Sequence, residues 1–179
     1  MDYATFFATS LQNIKQEGRY RVFAEIIDER RFPLVTLQRG SFRGDATMWC
    51  SNNYLALGHD AGVKLAMRHA LDQFSAGAGG TRNIAGTRSL HTELEHALAT
   101  WHNRDAALLF TSGYVANLAA LSALGAKIPD CIVLSDAKNH NSLIEGIRAA
   151  RCEKLIFRHN DMQHLETLLQ ALPRERAKL

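Results

Sequence analysis

FTSGYVAN, residues 110–117, carries an apolar run into Ser112-Gly113-Tyr114 and then opens a helical stretch. A helix start leaves backbone N–H groups unpaired and carries the positive end of the helix dipole, a combination suited to a phosphate. Gly113 lets the backbone approach a ligand closely, and the Tyr114 ring could cover what binds. The pattern GxxxxGK[ST] is absent, so this is not a Walker loop, and an ordinary strand-to-helix turn fits the spacing equally well. LSDAKNHNSLIEG, residues 134–146, is the second candidate. There a strand ends at Ser135-Asp136, and a polar loop carries His140 to the start of a helix. Parallel α/β sheets bind ligands at the carboxyl ends of their strands. An imidazole at that place could stack on a ring, pass a proton or cap the helix. Asp136 and Asn139 read as loop and capping groups rather than catalysts.

Two further stretches are polar without a decided role. In WCSNNYLALG, residues 49–58, Asn52 and Asn53 form a turn or present an amide to a carboxylate, and the residues alone leave both open. SAGAGGTRNIAGT, residues 75–87, is glycine-rich but follows a helix and lacks the GxGxxG order of a dinucleotide loop. Thr81, Arg82 and Asn83 are hydrogen-bonding groups on a flexible backbone, or parts of a connector to the next helix. His91 and His96, like His159 and His164, are spaced five apart, off a single helix face. HExxH is missing, and no metal site is expected.

These candidates need elements to hold them. The spacing predicts helices over 3–17, 60–74 and 89–102, with an amphipathic stretch at 20–31 that ends before Pro33. TMWC, residues 47–50, reads as a short strand. From residue 106 a regular alternation sets in: strands at 106–111, 131–135 and 155–158, with helices over 114–124, about 140–150, and 161–171. Gly125 reads as a helix stop. Apolar strands alternating with helices at crossover spacing predict an α/β fold, a mainly parallel sheet flanked by helices. After the last helix the repeat asks for another strand, and PRERAKL stands there. The sheet is therefore expected to be incomplete.

Composition narrows the function classes. Of 179 residues, 46% are apolar and 22% charged, with a net charge of +3. That surplus supports no nucleic-acid partner, and no apolar run approaches membrane-spanning length. Cys50, Cys131 and Cys152 are odd in number and show no CxxC spacing, which excludes a disulfide framework or zinc site. Cys50 and Cys131 are expected as buried thiols, in a reducing cytoplasm.

Taken together, EGRYRVF (17–23), WCSNNYLALG, GAGGTRNIAGT (77–87), HTELEHALA, FTSGYVAN, LSDAKNHNSLIEGI and IFRHND (156–161) resemble the 5-aminolevulinate synthase family in order and spacing. The resemblance covers nearly the whole chain. That family belongs to the pyridoxal-phosphate (PLP) α-oxoamine synthases, which have the fold type I aminotransferase-like architecture. It implies an N-terminal arm and first strand over 1–58 and the first part of a PLP-binding large domain over 59–179. The rest of that domain and a C-terminal domain would lie outside the chain.

The same resemblance implies roles for individual residues. His140 would stack on the cofactor ring, and Ser112, Gly113 and Tyr114 would hold its phosphate. Asn52 would meet the glycine carboxylate. Arg21, Thr81 and Asn83 would grip the distal carboxylate of succinyl-CoA, a task that suits the planar fork of arginine. Ser135 and Ile84 would lie near the acyl thioester. EGRYR and GGTRNIAGT favour glycine and succinyl-CoA over the substrates of related synthases, such as those making 8-amino-7-oxononanoate or 2-amino-3-ketobutyrate. A homodimer with shared active sites is implied. The Schiff-base lysine is expected beyond Leu179, since Lys127, Lys138, Lys154 and Lys178 do not stand in the matching context. The chain alone is accordingly expected to be inactive. The alternatives are a sister synthase, such as a glycine C-acetyltransferase, or a non-catalytic phosphate-binding module.

Overall fold

In the computed structural model, which describes residues 2–179, the chain divides into two units, one running to Thr81 and the other starting at Arg82. The first opens with helix α1 (Tyr3–Gln16), as the spacing predicts. Asp2 caps it, its carboxylate accepting from the Ala4 N–H at 3.0 Å. No residue of α1 is buried, and Tyr3, Phe6, Phe7 and Leu11 stand exposed.

Three antiparallel strands follow: β1 (Glu25–Arg31), β2 (Leu34–Arg39) and β3 (Phe42–Thr47), in that order across the sheet. This corrects the reading of residues 20–31 as a plain amphipathic stretch and of 47–50 as a strand. Turns at Phe32-Pro33 and Gly40-Ser41 fold β2 back onto both neighbours, and Gly40 takes a left-handed φ of +59° there. Pairing stops at Thr47, so Met48, Trp49 and Cys50 lie outside the sheet. Cys50 is exposed rather than buried, because no strand carries it into a core. Val35, at 1% exposure, is the buried side chain of this sheet. A 3₁₀ turn at Leu57–His59 leads into α2 (Ala61–Phe74), whose Val63 N–H is accepted by Asp60 at 2.9 Å.

The second unit contains α3 (Ser89–Trp101), α4 (Gly113–Lys127), β4 (Ile132–Asp136), α5 (Asn141–Ala150), β5 (Glu153–Phe157) and α6 (Met162–Gln170). All but α3 belong to the alternation read from residue 106 onward. β4 and β5 pair in parallel, from Ile132 opposite Glu153 to Asp136 opposite Phe157. Cys131, Ile132 and Val133 are all buried, the mark of a strand covered on both faces. The apolar part of the Ile132 side chain alone contributes about 2 kcal/mol. The strand asked for by the repeat after α6 begins where expected: Lys178 bridges Ile132 in parallel, and Leu134 donates to the Leu179 carbonyl at 2.8 Å.

Two expectations are corrected in this unit. Residues 106–110 form no strand, since among the described residues no strand lies alongside them, and an apolar run becomes a strand only through a ladder. Gly125 does not stop α4, which continues to Lys127. It is a packing residue: a Cβ there would sit 2.8 Å from Ala150 Cβ and 3.0 Å from Cys152 Sγ. Gly146 of α5 does the same for the α4–α5 contact, where a Cβ would lie 2.9 Å from Leu121 Cβ and 3.2 Å from the Asn117 carbonyl. Two glycines thus set how closely α4 meets the elements that carry His140.

Candidate functional site

The residues around the start of α4 and the start of α5 form one connected corner. Ser112 caps α4, its Oγ accepting from the Val115 N–H at 3.2 Å. Gly113 and Tyr114 follow as the first two helical residues, and among the described residues nothing accepts from their N–H groups. A Cβ on Gly113 would meet nothing within 4 Å, so no other part of the described chain crowds that residue's Cα. His140 caps α5 and is itself exposed. Its ring stands edge-on to Tyr114, with centroids 6.0 Å apart and planes at 76°. Asn141 donates to the Tyr114 hydroxyl at 2.9 Å, tying the two helix starts together.

Below this corner the backbone is fixed by Asp136 at the end of β4. Its carboxylate accepts from the N–H of Lys138 at 2.7 Å and of Asn160 at 2.9 Å, and pairs with His159 Nδ1 at 2.9 Å. Those bonds, led by Asn160, hold its pKa down to about 2, against an ordinary 3.8. Asp136 is thus a loop-binding group, as its sequence context predicts. Asn139 donates to Ser135 Oγ at 2.9 Å, and Ser135 is buried.

The loop at 75–87 proves more built than a connector. Arg82–Gly86 is a π-helical turn, a form that recurs at functional sites. Arg82 does not reach outward as a free donor. Its guanidinium meets the Glu95 carboxylate of α3 twice, at 2.5 and 3.0 Å, and Glu95 also accepts from the Leu109 N–H at 2.7 Å. Arg82 above all, then the Leu109 bond, lowers the Glu95 pKa to about 2. Thr87 closes the turn by donating to the Arg82 carbonyl at 2.6 Å. Asn83 and Ile84 sit on this turn, both exposed, Ile84 at 84%.

The second unit therefore brings Ser112, Gly113, Tyr114 and His140 together, with Ser135 beneath the same loop and Asn83 and Ile84 on the π turn. In the first unit, Arg21 lies exposed on the irregular segment between α1 and β1. Asn52 lies exposed at a bend, and Thr81 ends the unit, also exposed. Of the Asn52-Asn53 pair, it is Asn53 that closes the local turn, accepting from the Gly58 N–H at 2.9 Å. Sequence reasoning missed Glu95, Asn117 and Ser142. The spacing reads Leu90, Leu94, Leu98 and Trp101 as a buried stripe of α3, but Leu90, Leu94 and Trp101 are exposed, and nothing local in the sequence singles out Glu95. Among the described residues no cluster of three or more metal-ligating side chains occurs, and no helix is long and apolar enough to cross a membrane.

The carboxyl end of β4 feeds the loop that carries His140 beside the start of α4, as strand ends do in parallel α/β folds. Residues 45–179 match the family model for aminotransferase class I and II, and the chain belongs to that family. It is 51% identical to 5-aminolevulinate synthase of Rhizobium meliloti over 96% of this chain and 43% of that protein. It is 45% identical to the mitochondrial 5-aminolevulinate synthase of Schizosaccharomyces pombe, over 99% of this chain and 32% of that one. Among solved structures, serine palmitoyltransferase of S. paucimobilis with a bound PLP–myriocin aldimine superposes with a TM-score of 0.77. That match has 29% identity and covers 96% of this chain and 43% of the other. The architecture is therefore fold type I, and the chain spans less than half the length of the relatives it matches.

Proposed function

We propose that this chain belongs to a PLP-dependent acyltransferase that condenses glycine with succinyl-CoA, releasing 5-aminolevulinate, CoA and CO2. One observation carries the reading: the N–H groups of Gly113 and Tyr114 stand without a protein acceptor among the described residues at a helix start, and the Tyr114 ring meets the exposed ring of His140. That donor set suits a dianionic phosphate next to a flat aromatic ring. PLP, when bound, supplies an electron sink that makes the α-proton of glycine removable. Ser112, Gly113 and Tyr114 would hold the phosphate, and His140 would lie against the ring. Asn52 would orient the glycine carboxylate, while Arg21, Thr81 and Asn83 would take the far carboxylate of the succinyl group. Ile84 and Ser135 would border the thioester.

Identity to 5-aminolevulinate synthases of two organisms supports these substrates over those of sister synthases. The lysine that anchors the cofactor is expected outside this chain. Lys178 supports that expectation, because its ammonium already donates to the carbonyls of Pro173, Arg174 and Arg176. We further propose a homodimer with shared sites. Three free thiols support a reducing, cytoplasmic setting. The test is to assay the full-length protein with glycine and a panel of acyl-CoAs. Release of 5-aminolevulinate with succinyl-CoA preferred is the expected result; preference for acetyl-CoA or pimeloyl-CoA would overturn the substrate assignment. Residues 1–179 alone should show no turnover.

A further inference from the structure

His140 is exposed, yet one of its ring nitrogens is engaged by a residue that is not. Ser142 is fully buried, at 0% exposure, in the first turn of α5. Its Oγ lies 2.7 Å from His140 Nδ1 and 3.0 Å from Asn117 Nδ2 on α4. The Ser142 backbone N–H also donates to Nδ1, at 3.2 Å.

The protons in this chain can be assigned. An amide nitrogen only donates, so the Asn117 bond occupies a lone pair of Ser142 Oγ. The Ser142 hydroxyl proton then needs an acceptor, and burial keeps water from supplying one. His140 Nδ1 is the acceptor within reach, and it also receives the Ser142 N–H. A nitrogen that accepts cannot carry the ring proton, so in the neutral ring that proton is on Nε2. A flip of the Asn117 amide would reverse the logic, and the Ser142 N–H bond to Nδ1 argues against it.

We propose that Asn117 and Ser142 are positioning residues that hold His140 as its Nε2–H tautomer. The side of the ring remote from α5 then presents a donor rather than a lone pair. Such an edge recognises an acceptor, a carboxylate above all. That the carboxylate belongs to an amino acid bound with PLP rests on the reading above, whereas the tautomer does not. The wiring explains why α4 and α5 approach so closely at Gly146: the Asn117 amide must reach a hydroxyl buried at the start of the facing helix.

Imidazole 15N spectra of the full-length protein, labelled at histidine and assigned with H140Q, read the proton's position directly. For the wild type, the Nε2–H form is expected in about tenfold excess over the other, before PLP is added and after. N117D turns the donor into an acceptor, so the Ser142 hydroxyl swings to it, Oγ accepts from Nδ1–H, and the tautomer ratio reverses. N117L removes the amide without adding an acceptor and is expected to shrink the Nε2–H excess without reversing it, since the Ser142 N–H still donates to Nδ1. A wild-type spectrum with a protonated Nδ1 would overturn the proposal, as would a folded N117D with the wild-type pattern. If N117D does not fold, the wild-type and N117L spectra decide alone, and a reversed ratio in either contradicts it. Failure to bind PLP would instead strike the cofactor reading and leave the tautomer result standing.

Discussion

The antiparallel sheet of residues 25–47 and the carboxyl ends of β4 and β5 both carry charged and hydroxyl side chains, and they use them differently. In the sheet these groups pair with one another in water: Arg30 with Asp28, Arg31 with Asp45 at 2.8 Å, and Thr36 with Asp45 at 2.7 Å. At the strand ends they are spent on backbone N–H groups and buried hydroxyls, as with Asp136 and with Ser142 at the start of α5, and Glu95 on α3 likewise holds the Leu109 N–H. Exposed ion pairs trade one set of solvent contacts for another and contribute little. A carboxylate that replaces several water contacts with fixed N–H donors holds a loop in one place. The second arrangement fixes geometry, and Asp136 and Ser142 apply it beside the proposed cofactor corner.

The largest expected break in that contrast is steric. Gly146→Val forces side-chain atoms into Leu121 and the Asn117 carbonyl, and should cost about 3 kcal/mol in denaturant unfolding of the full-length protein. Next comes Glu95→Gln, which loses the charge that Arg82 and Leu109 share. Amide exchange at Leu109 is expected to quicken by about tenfold, while β1–β3 amides are unaffected. The same group carries a pH signature. Its folded pKa of about 2 lies below the ordinary 4.5, so its stabilisation is complete above 4.5 and drains away as pH falls toward 2. Asp136 acts in the same direction below its ordinary 3.8. Glu95→Gln should flatten the acid limb of a stability–pH curve. Ser112→Ala removes one cap and should cost about 1 kcal/mol. Arg30→Ala, on the exposed sheet, should leave the unfolding midpoint within error.

Much of the second unit was legible because its signals are local. The run CIVL, residues 131–134, is apolar throughout, as suits a doubly covered strand, and the helices around it repeat at the expected period. Ser112 and His140 were both legible as residues at helix starts, and capping was one of the three roles open to His140. What stayed hidden depends on distant partners. The run at 106–110 has the composition of a strand and lacks a ladder, and Gly125 has the look of a stop until Ala150 and Cys152 are seen against it. β2 was missed because a six-residue strand between two tight turns shows its pairing only in three dimensions. Asn117 and Ser142 lie 25 positions apart, and no periodicity links them.

The central claim is that the start of α4 receives the phosphate of PLP, and one substitution isolates it. Proline suits the first position of a helix, so Gly113→Pro removes a single N–H donor while sparing the α-helical hydrogen bonds. The extended Ser112, with φ −161° and ψ 161°, already has the backbone that a following proline requires. The measurement is the affinity of the apo full-length protein for PLP and for pyridoxal, which lacks the phosphate, in wild type and Gly113→Pro. The account predicts an unchanged thermal midpoint, about tenfold weaker binding of PLP, and no change for pyridoxal. Equal PLP affinity in the two proteins would contradict it.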